Sequence, residues 1–297
     1  MANFTRFSWG VVGCNLFVIL WGAYVRASGS GNGCGSHWPL CNGEVVPLAP
    51  RVQTIIEFTH RVSSGVAFFA VAGLLGWSLR RFPRGHRARL TALASFAFML
   101  VEVALGAGLV LLQYVAGNAS VGRAFYLSLH LVSTQGLLAM LVLTAWFSRD
   151  APQSLGRRSR PALASLPIAV VVSVTGVIAA LGDTLYPAAS LATGVQQDFS
   201  STAHFLVRLR VLHPVLAVLA AAYFATVSIR LLRSTLRPPA ARMAWFVLVM
   251  AIAQLCAGVI NLTLLAPAWM QLTHLLLADL VWISLVLLAI EAPDQNE

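Results

Sequence analysis

Met243–Ala278 reads MAWFVLVMAIAQLCAGVINLTLLAPAWMQLTHLLLA, a run without a single Asp, Glu, Lys or Arg. A helix rises about 1.5 Å per residue, so about 20 apolar residues cross the hydrocarbon core of a bilayer. This run therefore holds two crossings, separated by a short turn near Ala266–Ala268. Phe7–Val25, Ala124–Ser148, Pro161–Gly182 and Val211–Ile229 are further charge-free runs of spanning length. Of the 297 residues, 58% are hydrophobic and 10% charged, against roughly a quarter charged in a soluble domain. The alternating pattern of a membrane β-barrel is absent. The expected fold is an all-α integral membrane protein of eight transmembrane helices, over 9–27, 52–79, 90–112, 124–147, 161–182, 206–230, 243–264 and 269–290.

The formal charge of +10 raises nucleic acid as a partner, but its distribution excludes one. All 20 basic residues are arginine, and they cluster: five in Arg80–Arg89, four in Arg149–Arg160 and four in Arg230–Arg242. Two spans separate each cluster from the next. Short Arg-rich loops stay cytoplasmic, so the charge reports topology. A multi-pass protein of the cell membrane is expected, with the N-terminus and the tail Glu291–Glu297 cytoplasmic. The outer loops are then 28–51, 113–123, 183–205 and the turn at 266–268. The first span is long and lacks a small-residue cleavage site, so it reads as a retained helix, not a signal peptide.

The two halves resemble each other. Glu102-Val-Ala-Leu-Gly-Ala-Gly-Leu in span three matches Gln254-Leu-Cys-Ala-Gly-Val-Ile in span seven. His60 and His213 occupy matching places in spans two and six, as do His130 and His274 in spans four and eight. Four spans per half give both halves one orientation. Two pseudo-symmetric four-helix bundles are expected, 1–150 and 151–297, joined through the Arg-rich stretch 149–160.

Of the seven histidines, His37, His86 and His204 sit in loops. The other four lie in the first third of the even spans, which places all four in the outer half of the membrane. A core histidine bonded to a neighbouring helix is the ordinary reading of any one of them. Four at one depth, two per bundle, point instead to two bis-His haem sites, with two imidazoles on opposite faces of one iron. Zinc fits poorly, because the carboxylates or thiolates of a typical zinc set are missing. No Cys-x-x-Cys-His occurs, so covalent haem attachment is not expected.

Ser28–Gly43, SGSGNGCGSHWPLCNG, followed by Ile56–Arg61, IEFTHR, resembles the haem A synthases of bacteria and mitochondria. Length, span count and histidine placement extend the resemblance over the whole chain; motif identity is concentrated in the first half. The resemblance implies oxidation of the C8 methyl of haem O to a formyl group. It implies that His60 and His130 hold the substrate haem O, that His213 and His274 ligate a resident haem b, and that Glu57 is the acidic residue of the chemistry. Cys34 and Cys41 match the family's outer-loop pair. Many bacterial members carry a second pair in the third outer loop, and here Leu185–Phe205 has none.

Glu57 lies three residues before His60, on the same face and about 4.5 Å further along the axis. It can reach a porphyrin edge and accept a proton, or it can neutralise Arg61 at i+4; the two roles are compatible. With both axial positions of the substrate iron taken, dioxygen has no coordination site, so water is the expected source of the formyl oxygen. An outer-loop Cys34–Cys41 disulfide is favoured there, either pinning the loop or exchanging electrons. Arg26, Arg51, Arg61, Arg123, Arg208 and Arg210 are candidates for haem propionates, with Arg61 and Arg210 first because they neighbour ligands. Glu102 and Asp279, near mid-membrane, read as protonated helix–helix hydrogen-bond donors or as part of a proton path. Cys14 and Cys256 read as packing residues. The alternative functions are a two-haem b-type electron carrier, which ordinarily places haems at opposite faces, and a haem transporter for which Glu57 is dispensable. Expected partners are haem O, haem A and the lipid bilayer, with room for haem O synthase, other cytochrome oxidase assembly factors or a homo-oligomer.

Overall fold

The computed structural model describes residues 2–149, 159–234 and 238–293. Most of the Arg-rich stretch 149–160 and the end of the polar tail lie outside the described residues. Eight segments are long and apolar enough to cross a membrane, and among the described residues no strand forms. The protein is a multi-pass membrane protein.

The chain divides into two compact units, Met1–Arg149 and Asp150–Glu297. The first holds α1 (Ala2–Ala27), α2 (Val52–Arg81), α3 (Arg87–Leu111) and α4 (Val121–Phe147). The second holds α5 (Arg160–Leu185), α6 (Leu191–Asp198), α7 (Phe205–Leu209), α8 (Leu212–Leu232), α9 (Pro238–Thr263) and α10 (Ala268–Glu291).

Three features differ from the expected spans. Helix α1 starts at Ala2 rather than residue 9, because its polar first turn finds partners: Thr5 Oγ1 bonds Ser148 Oγ at 2.8 Å, and Phe4 and Ser8 are buried. The sixth span is broken at Arg210–Val211 into α7 and α8. Helix α6, unforeseen, is started by a capping box between Ser190 and Thr193, which satisfies backbone N–H groups left over in the first turn.

In the first unit α1 packs on α2 and α4, and α3 packs on α2 and α4, closing a ring of four. In the second, α5, α8, α9 and α10 follow the same order of neighbours. Lipid gives helices little hydrophobic reason to associate, so interfaces rely on small residues that let backbones approach. Helix α3 buries Ala88, Ala92, Ser95 and Met99, and α9 buries Ala240, Ala244, Val247 and Ala251 at the same 4-3-4 spacing. Large apolar side chains such as Phe17, Phe69, Leu100, Trp245 and Val259 stay exposed, as surfaces facing lipid do.

Packing is uneven along the helices. At the Arg-rich-loop end of the first unit, Phe4, Leu74, Ala88, Leu141, Val142 and Ala145 are all buried, and Phe4 meets Trp77 and Phe82 edge-on at 5.5 and 5.1 Å. The other end is looser. No residue of α2 is buried between Glu57 and Ala67, none of α4 between Ala124 and Ser133, none of α8 before Ala220, and none of α10 between Met270 and Asp279.

Candidate functional site

The four loosely packed stretches are the ones that carry His60, His130, His213 and His274. All four imidazoles are half-buried. Three stand over a glycine of a neighbouring helix. A Cβ added at Gly22 of α1 would come within 2.9 Å of His60 Cε1; at Gly176 of α5, within 3.0 Å of His213 Cε1; at Gly258 of α9, within 3.2 Å of His274 Cε1. Each ring therefore lies flush on a helix backbone, a position any larger residue would contest.

Within the second unit, the His213 and His274 rings have centroids 6.2 Å apart and planes at 85°. An imidazole nitrogen binds a metal at about 2 Å, so two rings ligating one ion from opposite sides have centroids roughly 6 Å apart. The separation of the two rings is of the size that a shared iron requires. Thr175 Oγ1 lies 3.2 Å from His213 Nδ1, leaving the outer ring nitrogen of that histidine for a ligand. Gln254 Nε2 stands 3.4 Å from His274 Nε2, at the limit of a hydrogen bond.

Within the first unit, His60 and His130 are close enough to interact electrostatically. The Nδ1 atoms of His60, His130 and His274 are buried without a hydrogen bond among the described residues, a costly state for a polar group in an apolar site. Among the described residues no group of three or more His, Cys, Asp or Glu comes together. The imidazoles come in twos, which suits a porphyrin iron that already has four nitrogen ligands and needs only axial ones.

The loop beside the first pair is built from the motif cysteines. Cys34 and Cys41 form a disulfide with Cα atoms 4.4 Å apart, and both are buried. Helix α2 grips this loop from below. Glu57 Oε2 accepts the Cys34 N–H at 2.9 Å, and Thr54 donates to the Gly33 carbonyl at 2.8 Å. Arg61 donates from Nε and Nη2 to Glu57 Oε1 at 3.2 and 2.5 Å, and from Nη1 to the His37 and Leu40 carbonyls, both at 2.7 Å. Glu57 is buried, and both its oxygens hold the loop.

The second unit latches its corresponding loop without sulfur. Arg210 donates from Nη1 to Asp183 at 3.1 Å, from Nη2 to the Gly194 carbonyl at 3.2 Å, and from Nε to Asp198. Arg123 is buried and donates to the Ala116 and Asn118 carbonyls at 2.5 and 2.7 Å. Arg61, Arg210 and Arg123 are therefore each committed to protein acceptors; the i,i+4 spacing signals the Glu57–Arg61 pair, while the backbone carbonyls have no sequence signal. Arg208 differs: with Asp198, Phe199, Phe205, Leu209, Val211 and Leu212 it lines an open cleft of about 490 Å³.

Two acidic residues lie within the helices, and one of them meets a histidine. Glu102 Oε2 lies 3.2 Å from His130 Nδ1 and accepts from Thr134 Oγ1 at 2.8 Å. Asp279 is buried on α10, with Oδ2 unpartnered among the described residues. His86 and His204 cap α3 and α7, and His37 lends its carbonyl to Arg61. Cys14 is half-buried, whereas Cys256 is exposed and does not serve as a packing residue within this chain.

The sequence model of the COX15-CtaA family, described as cytochrome oxidase assembly protein, matches residues 5–286. Over 296 residues, 98% of this chain, the sequence is 47% identical to a Thermus thermophilus protein named protoheme IX farnesyltransferase, covering 48% of it. Proteins named heme A synthase match over shorter stretches. One from Exiguobacterium sibiricum is 36% identical over 128 residues, 43% of this chain and 42% of that protein. One from Alkalihalophilus pseudofirmus is 37% identical over 129 residues, 43% of this chain and 41% of that protein. The chain spans about half the length of the curated relatives it matches.

Proposed function

Because the chain belongs to the COX15-CtaA family of cytochrome oxidase assembly proteins, we propose that it is a haem A synthase, oxidising the C8 methyl of haem O to a formyl group. The observation that carries this reading is the pairing of imidazoles inside each unit, above all His213 and His274 at 6.2 Å. The first unit, 1–150 in this reading, binds the substrate haem O through His60 and His130. The second, 151–297, holds a haem b through His213 and His274. When bound, that haem b supplies one-electron redox chemistry.

With His60 and His130 on both axial positions, dioxygen has no open site on the substrate iron, and water is the oxygen source. The methyl carbon gains a hydroxyl from one water as two electrons and two protons leave. A second water and a second loss of two electrons and two protons give the gem-diol, which expels water to leave the formyl group. The four electrons pass to an external acceptor. Glu57 is the proposed proton acceptor, and Arg61 holds one of its oxygens while fixing the disulfide loop beside the site. Arg61 and Arg210 would each have to release a protein acceptor to take a propionate.

The Arg-rich loops support a cell-membrane protein with cytoplasmic termini, and in that topology the histidines would lie in the outer half of the bilayer. The name carried by the Thermus relative describes a protein about twice this length. It supports a farnesylating enzyme as the source of the substrate more than as the activity of this chain, whose family match and haem A synthase relatives point to the oxidation. Haem extraction from purified protein, co-expressed with a haem O source, tests the proposal. Wild type should yield haem A, Glu57→Ala should accumulate haem O, and oxygen-labelled water should label the formyl group. Unchanged haem A in a deletion strain would overturn the reading, and label from dioxygen would overturn the water scheme.

A further inference from the structure

Resting on the haem reading above, we infer that Glu102 is the positioning residue that sets the electron-donating strength of the first unit's haem. Its carboxylate stands 3.2 Å from His130 Nδ1, and Thr134 holds it there with a 2.8 Å hydrogen bond. The other carboxylate oxygen, Oε1, is buried without a partner among the described residues, and so is His130 Nδ1, the ring nitrogen that Oε2 faces. Two unsatisfied polar groups side by side in an apolar bundle carry a cost. A ring held by an iron on its other nitrogen would present the Nδ1–H to Oε2 and satisfy that ring nitrogen. Active-site hydrogen bonds commonly tighten in this way when the site fills.

The second unit has no such charge. At the place corresponding to Glu102 it carries Gln254, whose neutral amide lies 3.4 Å from His274 Nε2, while His274 Nδ1 has no hydrogen bond among the described residues. His213 has the neutral hydroxyl of Thr175 at 3.2 Å. A carboxylate on the second nitrogen of a ligating imidazole raises the basicity of that ligand, whereas a hydroxyl or amide does so less. A more basic axial ligand favours the oxidised iron and lowers the reduction potential. A carboxylate against a ligand of the first pair, with only neutral groups against the second, makes the porphyrin at His60 and His130 the easier of the two to oxidise. That is the direction the oxidation of a substrate haem requires.

The test uses the full-length protein loaded with protohaem IX and titrated by spectroelectrochemistry. The first-unit signal is the one lost in His130→Ala. In Glu102→Gln that signal should move to more positive potential while the second-unit signal stays, and Glu102→Asp should restore part of the shift. Gln254 already occupies the matching place in the other unit, so a glutamine is compatible with this architecture. The converse variant, Gln254→Glu, should move the second-unit signal to more negative potential. First-unit haem that binds normally but keeps its potential in Glu102→Gln overturns the inference and leaves the haem reading standing. Should Glu102→Gln fail to fold, an unmoved second-unit potential in Gln254→Glu overturns it instead. Failure of His130→Ala to remove any haem signal strikes the haem reading itself, and the inference falls with it.

Discussion

At each of three proposed ligands, a hydrogen atom in place of a methyl group decides whether the imidazole can lie against its neighbouring helix. Alanine at Gly22 would put Cβ 2.9 Å from His60 Cε1, a separation that forces something to move, whereas alanine at Gly258 leaves 3.2 Å to His274. A strained ring placement costs about 1–3 kcal/mol, roughly 5- to 150-fold in affinity. Gly22→Ala should therefore reduce haem retained by the first unit severely, and Gly258→Ala should reduce that of the second unit less, as measured by haem content of purified protein. Equal retention in both variants would show that these glycines do not shape the sites. The four histidines themselves were legible in the sequence because a polar ring in hydrocarbon is rare and their depth repeats. The glycines beneath them were not, since a membrane helix uses glycine at many contacts. The same limit hid Glu102: its match to Gln254 is readable along the chain, but its contact with His130 depends on how α3 and α4 rotate against each other.

Elements outside the bilayer show where sequence reading loses its grip. Apolar runs define the spans because lipid penalises any interruption, and all eight are found. The break between α7 and α8 carries a weaker signal, Pro214, which lacks an N–H and sits naturally in the first turn of a new helix. Arg210 at that break is only 11% exposed and ties Asp183, Asp198 and the α6 backbone together. Removing it in Arg210→Ala strands two carboxylates, so stability should fall by about 2–3 kcal/mol, read as a lower thermal midpoint in detergent, with Arg210→Lys intermediate. The loop in the first unit is anchored twice, by its disulfide and by Glu57, Thr54 and Arg61. A cross-link spanning a sequence separation of 7 contributes about 2–3 kcal/mol through the unfolded chain. Cys34→Ser combined with Cys41→Ser should lower the midpoint by that order while the α2 contacts keep the loop seated. A collapse of haem binding in that double variant would mean that the covalent link, not the clamp from α2, positions the loop.

For the molecule as a whole, the expectation of a duplicated design rests on a few matched positions. The histidines and the Glu102–Gln254 match mark it in sequence. The buried alanine rows of α3 and α9 extend it, yet alanine is too common in membrane helices to be recognised as a repeat beforehand. Orientation rests on a different property, the placement of arginine. Moving several guanidinium groups across a bilayer is costly, and short loops carrying them are retained on the cytoplasmic side. The stretches 80–89, 149–160 and 230–242 hold thirteen of the 20 basic residues, five, four and four of them. The disulfide loop and α6 must then face the opposite side from these stretches, because a single crossing separates them. In a background of Cys14→Ser and Cys256→Ser, the exposed positions Ser201 and Pro83 report the two sides without altering the arginines. Ser201→Cys should react with a membrane-impermeant maleimide in intact cells, and Pro83→Cys only after the membrane is opened. The reverse pattern would invert the topology and bring the proposed haem sites to the cytoplasmic half, where an oxidised Cys34–Cys41 pair would no longer be expected.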